Sequence, residues 1–332
     1  MLFKELLNSL KRGEYKPVYF LMGDEQFFID KISEYIEKNV LKEEEKAFNQ
    51  VIFYGNEITI YDVITQARRY PLMSKYQVII VKEAQDIKNI DELQIYVENP
   101  QLSTILVVNY KYNKLDKRKK LYQLLNKKNY LFEFNKLYEN QIPEWINDYL
   151  SEKGYAIDVK SAMLLTDFIG NDLSKIANEL EKLIIALGNE KRITTTHIEK
   201  FIGISREYNN FELIGAIATK DFAKATKIAL YFSKNPKSNP FILTLISLFS
   251  FFSKVLLFHS LKDKGRSNVA NELKINPYFV DQYATAAKNF SPSKIKKIIA
   301  LLREYDLKSK GINNVSTDDG DLLKELLYKI MN

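Results

Sequence analysis

The sequence has no cysteine and only two histidines, His197 and His259, among its 332 residues. Without cysteine there are no disulfides, thiolate metal sites or thiol nucleophiles, which fits a reducing compartment such as the cytoplasm. Two histidines far apart in the chain offer no zinc site and no histidine-based catalytic apparatus; each reads as a surface or packing residue. Eleven glycines and eight prolines are too few for a linker-rich or disordered chain. What is abundant is Leu, Lys, Glu and Ile, with 46% hydrophobic and 27% charged residues. That composition describes a folded, helix-favouring protein long enough for two or three domains. The net charge of +7 suits proximity to nucleic acid or another anionic surface. The opening stretch places Leu2, Phe3, Leu6, Leu7 and Leu10 on one helical face. Lys4, Glu5 and Asn8 interrupt it too soon for a secretory segment, so a short amphipathic helix is expected.

Short apolar runs then alternate with helical patterns. Pro17–Met22 is followed by Gly23-Asp24-Glu25 and by Phe27, Phe28, Ile32, Tyr35 and Ile36 at helical spacing. Val51–Tyr54, Val78–Val81, Thr104–Val108 and Leu131–Phe134 complete five candidate strands, with helices over Ile58–Ala67 and near Asp91–Glu98 between them. Buried strands alternating with helices predict a parallel sheet covered on both faces. Residues 1–138 therefore read as one α/β domain. Beyond it no strand is expected. Ile142–Lys153 (with the single Trp145), Asp158–Ile169, Leu173–Leu187 and Thr195–Phe201 read as helices of a small domain over 139–206, punctuated by Gly170-Asn171-Asp172 and Gly188-Asn189. Residues 207–332 form a third, all-helical region with stops at Pro236, Pro240, Pro277, Pro292 and Gly311. The segment after Pro240, PFILTLISLFSFFSKVLLFH, is long enough for a membrane span. Lys254, the recurring serines and the lack of a second such segment favour the central buried helix of a bundle instead.

A strand, turn and helix opening an α/β domain invite a search for a phosphate-binding loop of the form G-x-x-x-x-G-K-[ST]. The turn here is Gly23-Asp24-Glu25-Gln26-Phe27-Phe28-Ile29-Asp30-Lys31, with one glycine, no Gly-Lys-Ser/Thr and two carboxylates where phosphates need donors. Asp24 and Glu25 instead suit a helix start. Lys82-Glu83 and Asn109 end strands where a metal-binding or nucleotide-sensing side chain can sit, but without a phosphate cradle neither becomes catalytic. No catalytic residue, cofactor site or metal cluster is assigned.

The stretch that organises the first domain is Gln66–Ala84, QARRYPLMSKYQVIIVKEA. Pro71 ends the preceding helix near Arg69 and pushes Tyr70 out of the helical region. Leu72 and Met73 are left on a tight loop among Arg68, Arg69 and Lys75. Such side chains fold inward as core or project as an anchor for a partner's pocket, and loop physics alone favours the core. Lys117-Arg118-Lys119-Lys120 is a basic run that reads first as a solvated helix face and second as a DNA contact.

Over its whole length the chain resembles the delta subunits of the bacterial DNA polymerase III holoenzyme, components of the sliding-clamp loader. The resemblance is carried by PVYFLMGDEQFFIDK, QARRYPLMSKYQVIIVKEA and GNDLSKIANELEKL, then by FFSKVLLFHSLKDK, NPYFVDQYATAAKNFSP and LLREYDLKSKG. It implies an AAA+-like α/β domain without a functional ATP site, a small helical lid over 139–206 and a helical collar over 207–332. It also implies a role in replication as part of a DNA-directed DNA polymerase (nucleotidyltransferase) complex in the cytoplasm, with no activity or cofactor of its own. The implied partners are the beta sliding clamp, the ATP-hydrolysing loader subunits, delta prime and, through the complex, primed DNA; no membrane is implied. The family's clamp-binding leucine and neighbouring apolar residue match Leu72 and Met73, flanked by Tyr70 and Pro71, and the resemblance reverses the preference for core. Methionine replaces the phenylalanine common at the second position; its flexible thioether fills an apolar pocket with less rigid area. The competing expectations are a nucleic-acid adaptor acting through Lys111–Lys128 and a divergent ATPase using Lys31, Glu83 and Asn109.

Overall fold

A computed structural model describes residues 2–188, 190–205, 207–314 and 316–332. Asn189, read above as helix punctuation, and Arg206, set above as the end of the second region, lie outside the described residues. The chain falls into two compact units, Met1–Leu137 and Tyr138–Asn332.

In the first unit, helix α1 (Leu2–Lys11) precedes β1 (Val18–Gly23), α2 (Gln26–Asn39), α3 (Glu43–Asn49), β2 (Gln50–Tyr54) and α4 (Ile60–Ala67). Then follow β3 (Gln77–Lys82), α5 (Gln94–Glu98), β4 (Thr104–Lys111), α6 (Lys120–Lys127) and β5 (Leu131–Glu133). The strands form one sheet in the order β2-β3-β4-β1-β5, and every pairing is parallel. Parallel neighbours need crossover helices, which cover both faces, and this is why the strand sequences are unbroken apolar runs. Val18, Phe20, Ile79, Val81, Leu106 and Val108 pack with Val63, Ile64 and Ala67 of α4 and Leu121 and Leu125 of α6. The alternate residues Tyr19, Leu21, Ile80 and Val107 are also buried and point to the other face, where α2 lies against β3 and β4. The helix expected near Asp91–Glu98 is a 3₁₀ turn, Ile90–Leu93, running into the short α5. The parallel-sheet α/β class expected for the first domain is the class observed.

The second unit is helical: α7 (Ile142–Ser151), α8 (Val159–Ile169), α9 (Leu173–Leu187) and α10 (Thr195–Ile202), then α11 (Asn210–Ala218), α12 (Phe222–Lys234) and α13 (Phe241–Ser260). It ends with α14 (Arg266–Leu273), α15 (Val280–Asn289), α16 (Pro292–Ser309) and α17 (Asp319–Met331). Asp158, Asp172 and Asp221 cap α8, α9 and α12 by accepting backbone N–H groups, so the stop at Gly170-Asn171-Asp172 doubles as a helix start. The expectation of no strand after the first domain is corrected by a short parallel pair, Ala156–Ile157 with Arg192–Ile193. Two-residue strands carry too few side chains to leave a period-2 pattern.

Helix α13 is, among the described residues, the helix long and apolar enough to cross a membrane. It packs against α11, α15, α16 and α17, burying Leu245, Leu248, Phe252 and Val255 in the core. Its other side leaves Ile242, Leu243, Ile246, Phe249 and Leu257 exposed, so the expected all-round burial is found on one side only.

Candidate functional site

The loop after α4 is held by two buried amide side chains. Thr59 caps α4, its hydroxyl accepting the Asp62 N–H while the Asp62 carboxylate accepts the N–H and hydroxyl of Thr59. At the other end, carbonyls that run out of helical partners need donors. Gln77, the buried first residue of β3, supplies them: its Nε2 donates to the Arg69 carbonyl and lies 3.3 Å from that of Gln66. The Thr104 hydroxyl donates to the Ala67 carbonyl at 2.8 Å.

The second amide is Asn49, the last residue of α3, also buried. Its Oδ1 accepts the Leu72 N–H at 2.6 Å, and its Nδ2 donates to the Leu72 carbonyl at 3.0 Å and to the Glu45 carbonyl at 3.0 Å. Leu72 is thus pinned through its backbone, and its side chain is left to the solvent. Tyr70 is 79% exposed, Leu72 58% and Met73 96%. The local packing that loop physics favours is therefore not what this loop does: buried polar groups, not apolar side chains, tie it down. Met73 adopts a left-handed backbone, φ 53°, which costs an L-residue about 1–2 kcal/mol. Such strain persists only where the surroundings over-determine it. At the start of α3 the Lys42 N–H donates to the Glu45 carboxylate at 2.8 Å, which together with the nearby Ser74 hydroxyl holds Glu45 below the usual carboxylate range. Arg68, Arg69 and Lys75 surround the loop, exposed. Sequence reasoning missed Asn49: it lies 23 residues from Leu72, and a single asparagine before a strand carries no periodic signal.

The turn after β1 is arranged differently from a phosphate cradle. The Glu25 N–H donates to the Phe134 carbonyl at 3.0 Å, and the Phe134 N–H donates to the Met22 carbonyl at 2.8 Å. Gly23, at φ 124°, lets Phe134 approach so closely that a Cβ there would sit 2.2 Å from the Phe134 oxygen. The buried Glu25 carboxylate caps α2, accepting the Phe27 N–H at 3.3 Å. The turn's one glycine therefore packs against protein, and a carboxylate occupies the helix start. The other candidate nucleotide residues are each engaged with protein groups. Lys31 pairs with Glu34 at 3.3 Å and Asn109 donates to the Ser33 hydroxyl at 3.0 Å. Glu83 lies 3.7 Å from Lys111, which pairs more closely with Asp30. Among the described residues no group of three or more His, Cys, Asp or Glu is placed to hold a metal ion.

The basic run Lys117–Lys120 lies in the turn leading into α6, with only Lys120 inside the helix. This corrects the reading as a helix face. Arg118 pairs with Asp116 at 2.7 Å, Lys119 with Asp91 at 3.1 Å and Lys120 with Glu98 at 2.6 Å. Two of the run's four charges, Lys119 and Lys120, are matched by acids distant in sequence, the part of its environment that spacing did not reveal.

Two family models match the chain. One, the DNA polymerase III delta subunit, matches residues 19–135; the other, its C-terminal domain, matches residues 207–327. DNA polymerase III subunit delta of Bacillus subtilis is 27% identical over 97% of this chain and 94% of its own length. The probable delta subunit of Aquifex aeolicus is 26% identical over 53% of this chain and 51% of its own. A solved structure described as the Bacillus subtilis DNA clamp loader delta protein superposes with a TM-score of 0.59 at 26% identity. That alignment covers 100% of this chain and 99% of the other. The sheet, the helical second unit and matches running from one to the other place this chain in the family of DNA polymerase III delta subunits, the clamp-loader subunits of bacterial replication.

Proposed function

We propose that this delta-family chain binds the beta sliding clamp through Leu72 and Met73, with Tyr70 and Pro71 beside them, and biases the ring toward its open state for loading on primed DNA. The observation that carries this reading is the pair of apolar side chains held in solvent by a backbone pinned at Asn49. Full burial of each in a partner's pocket is worth about 1.5–3 kcal/mol before association costs. Bound preferentially to an open or strained ring, the chain shifts the opening equilibrium by the difference in affinity and no further. A tenfold bias corresponds to about 1.4 kcal/mol of that difference.

ATP is bound and hydrolysed by other loader subunits in this proposal, not by this chain. Support comes from the turn after β1, where Phe134 occupies the Glu25 N–H and Glu25 caps α2. The helices over 139–206 act as lid and those over 207–332 as collar, joining the chain to the ATP-hydrolysing subunits and delta prime in the cytoplasm. DNA is met through the assembled loader. If Lys117, Arg118, Lys119 and Lys120 contribute, they do so electrostatically and without sequence preference.

The test is binding of the purified chain to its cognate clamp, wild type against the Leu72→Ala/Met73→Ala double variant, with circular dichroism on both. Loss of binding in a folded variant is expected. Wild-type affinity in the double variant refutes the loop assignment, and no binding by wild type refutes the proposed function.

A further inference from the structure

Helix α3, whose Asn49 holds the Leu72 backbone, also carries an exposed aromatic. Phe48, the residue before Asn49, is 72% exposed, although a phenylalanine on a short surface helix gains nothing from facing water. The only residue α3 buries is Asn49. This helix therefore contributes no apolar side chain to the core. Its inward group holds the Leu72 backbone and also donates to the carbonyl of Glu45, one turn earlier. Consecutive Cα atoms are about 3.8 Å apart, so the Phe48 backbone stands one residue from the latch that fixes Leu72. The acidic residues of α3 lie in its first turn, with Glu44 and Glu45 four and three residues before Phe48 and so on the same helical face. On the loop side the border is cationic: Arg68 and Arg69 are exposed and make no ion pair among the described residues, and Lys75 lies over the Tyr76 ring.

We propose that the clamp-binding surface is bipartite: Phe48 of α3 joins Leu72 and Met73 in one apolar patch that enters an apolar pocket with an acidic rim on the sliding clamp. The inference rests on the clamp-binding reading above. It adds a contact residue from a separate element and the charge of the pocket's border. The aromatic ring supplies the rigid area that methionine at position 73 lacks. Arg68, Arg69 and Lys75 face the acidic rim, where complementary charge speeds association more than it tightens the complex.

The experiment compares the affinity of the full chain for its cognate clamp among wild type, Phe48→Ala, Arg68→Glu/Arg69→Glu and Leu72→Ala/Met73→Ala. Thermal unfolding of each is followed in parallel. Phe48→Ala is expected to weaken binding about tenfold, the scale of one anchoring side chain, with its unfolding midpoint unchanged because Phe48 is outside the core. The charge-reversed variant is expected to associate more slowly, with the deficit shrinking at high salt. If Phe48→Ala binds like wild type while Leu72→Ala/Met73→Ala loses binding, the patch ends at the loop: the bipartite surface is overturned and the clamp reading stands. If the wild type does not bind, or the loop variant binds as wild type does, the clamp reading fails and this inference with it.

Discussion

Replacing Asn49 with alanine tests whether the loop is built or merely present. The substitution removes the acceptor of the Leu72 N–H and the donors to the Leu72 and Glu45 carbonyls, bonds of 2.6, 3.0 and 3.0 Å. A typical net contribution is about 0.5–1.5 kcal/mol per bond. Leu72 is solvent-accessible, so water can recover part of what its backbone loses. A fall in unfolding free energy of about 1–3 kcal/mol follows. The strain at Met73, about 1–2 kcal/mol for a left-handed L-residue, is then unopposed, and the loop relaxes into other conformations. Denaturant unfolding reads the first quantity, and amide hydrogen exchange reads the second. The Leu72 amide should lose protection while those of Ile79 and Ile80 in β3 keep theirs, because Gln77 still holds the start of that strand. Clamp affinity should fall although Tyr70, Leu72 and Met73 are untouched, since the ordering entropy is then lost on binding rather than on folding. An unchanged Leu72 exchange rate refutes the latch. Full deprotection of Leu72 with wild-type clamp affinity refutes its link to binding.

Two further outcomes follow from the packing. Gly23→Ala places a Cβ 2.2 Å from the Phe134 carbonyl oxygen at φ 124°. It should destabilise the first unit by about 3 kcal/mol or more, as sterically impossible contacts do; a midpoint within error of wild type in denaturant unfolding contradicts the close approach. Glu212→Gln removes a carboxylate shared by Lys160, at 2.7 Å, and Lys224. Burial works to raise the Glu212 pKa, but the two lysines together hold it below the usual range. A lowered folded pKa means stability that is complete above the unfolded-state value and is lost as pH falls through the folded one. The variant's deficit against wild type should therefore be larger at pH 7 than at pH 3. A deficit equal at both pH values shows that the side chain's shape, not its charge, is what matters.

What the sequence disclosed and what it withheld follow one physical division. The five strands were legible because β1, β3 and β4 are buried on both faces, which leaves runs such as Val78–Val81 with nothing polar in them. The long helices were legible from period and caps, and the turn after β1 from the residues it lacks, whereas the short α3, which buries only Asn49, carried no apolar period and was not read. The two-residue pair at Ala156 and Arg192 was invisible because its register joins segments 36 residues apart with no pattern in either. The site divides in the same way. Pro71 told where α4 ends, but whether Leu72 and Met73 turn inward depended on Asn49 and Gln77, polar residues whose partners are backbone groups elsewhere in the chain. The basic run likewise looked like free charge until Asp91 and Glu98 came beside it. Periodicity reports what a segment buries, and an amide latch buries almost nothing. Its effect is to hold two apolar side chains, Leu72 and Met73, out of the core on a left-handed backbone, and in the proposed function the clamp's pocket is what takes them out of water.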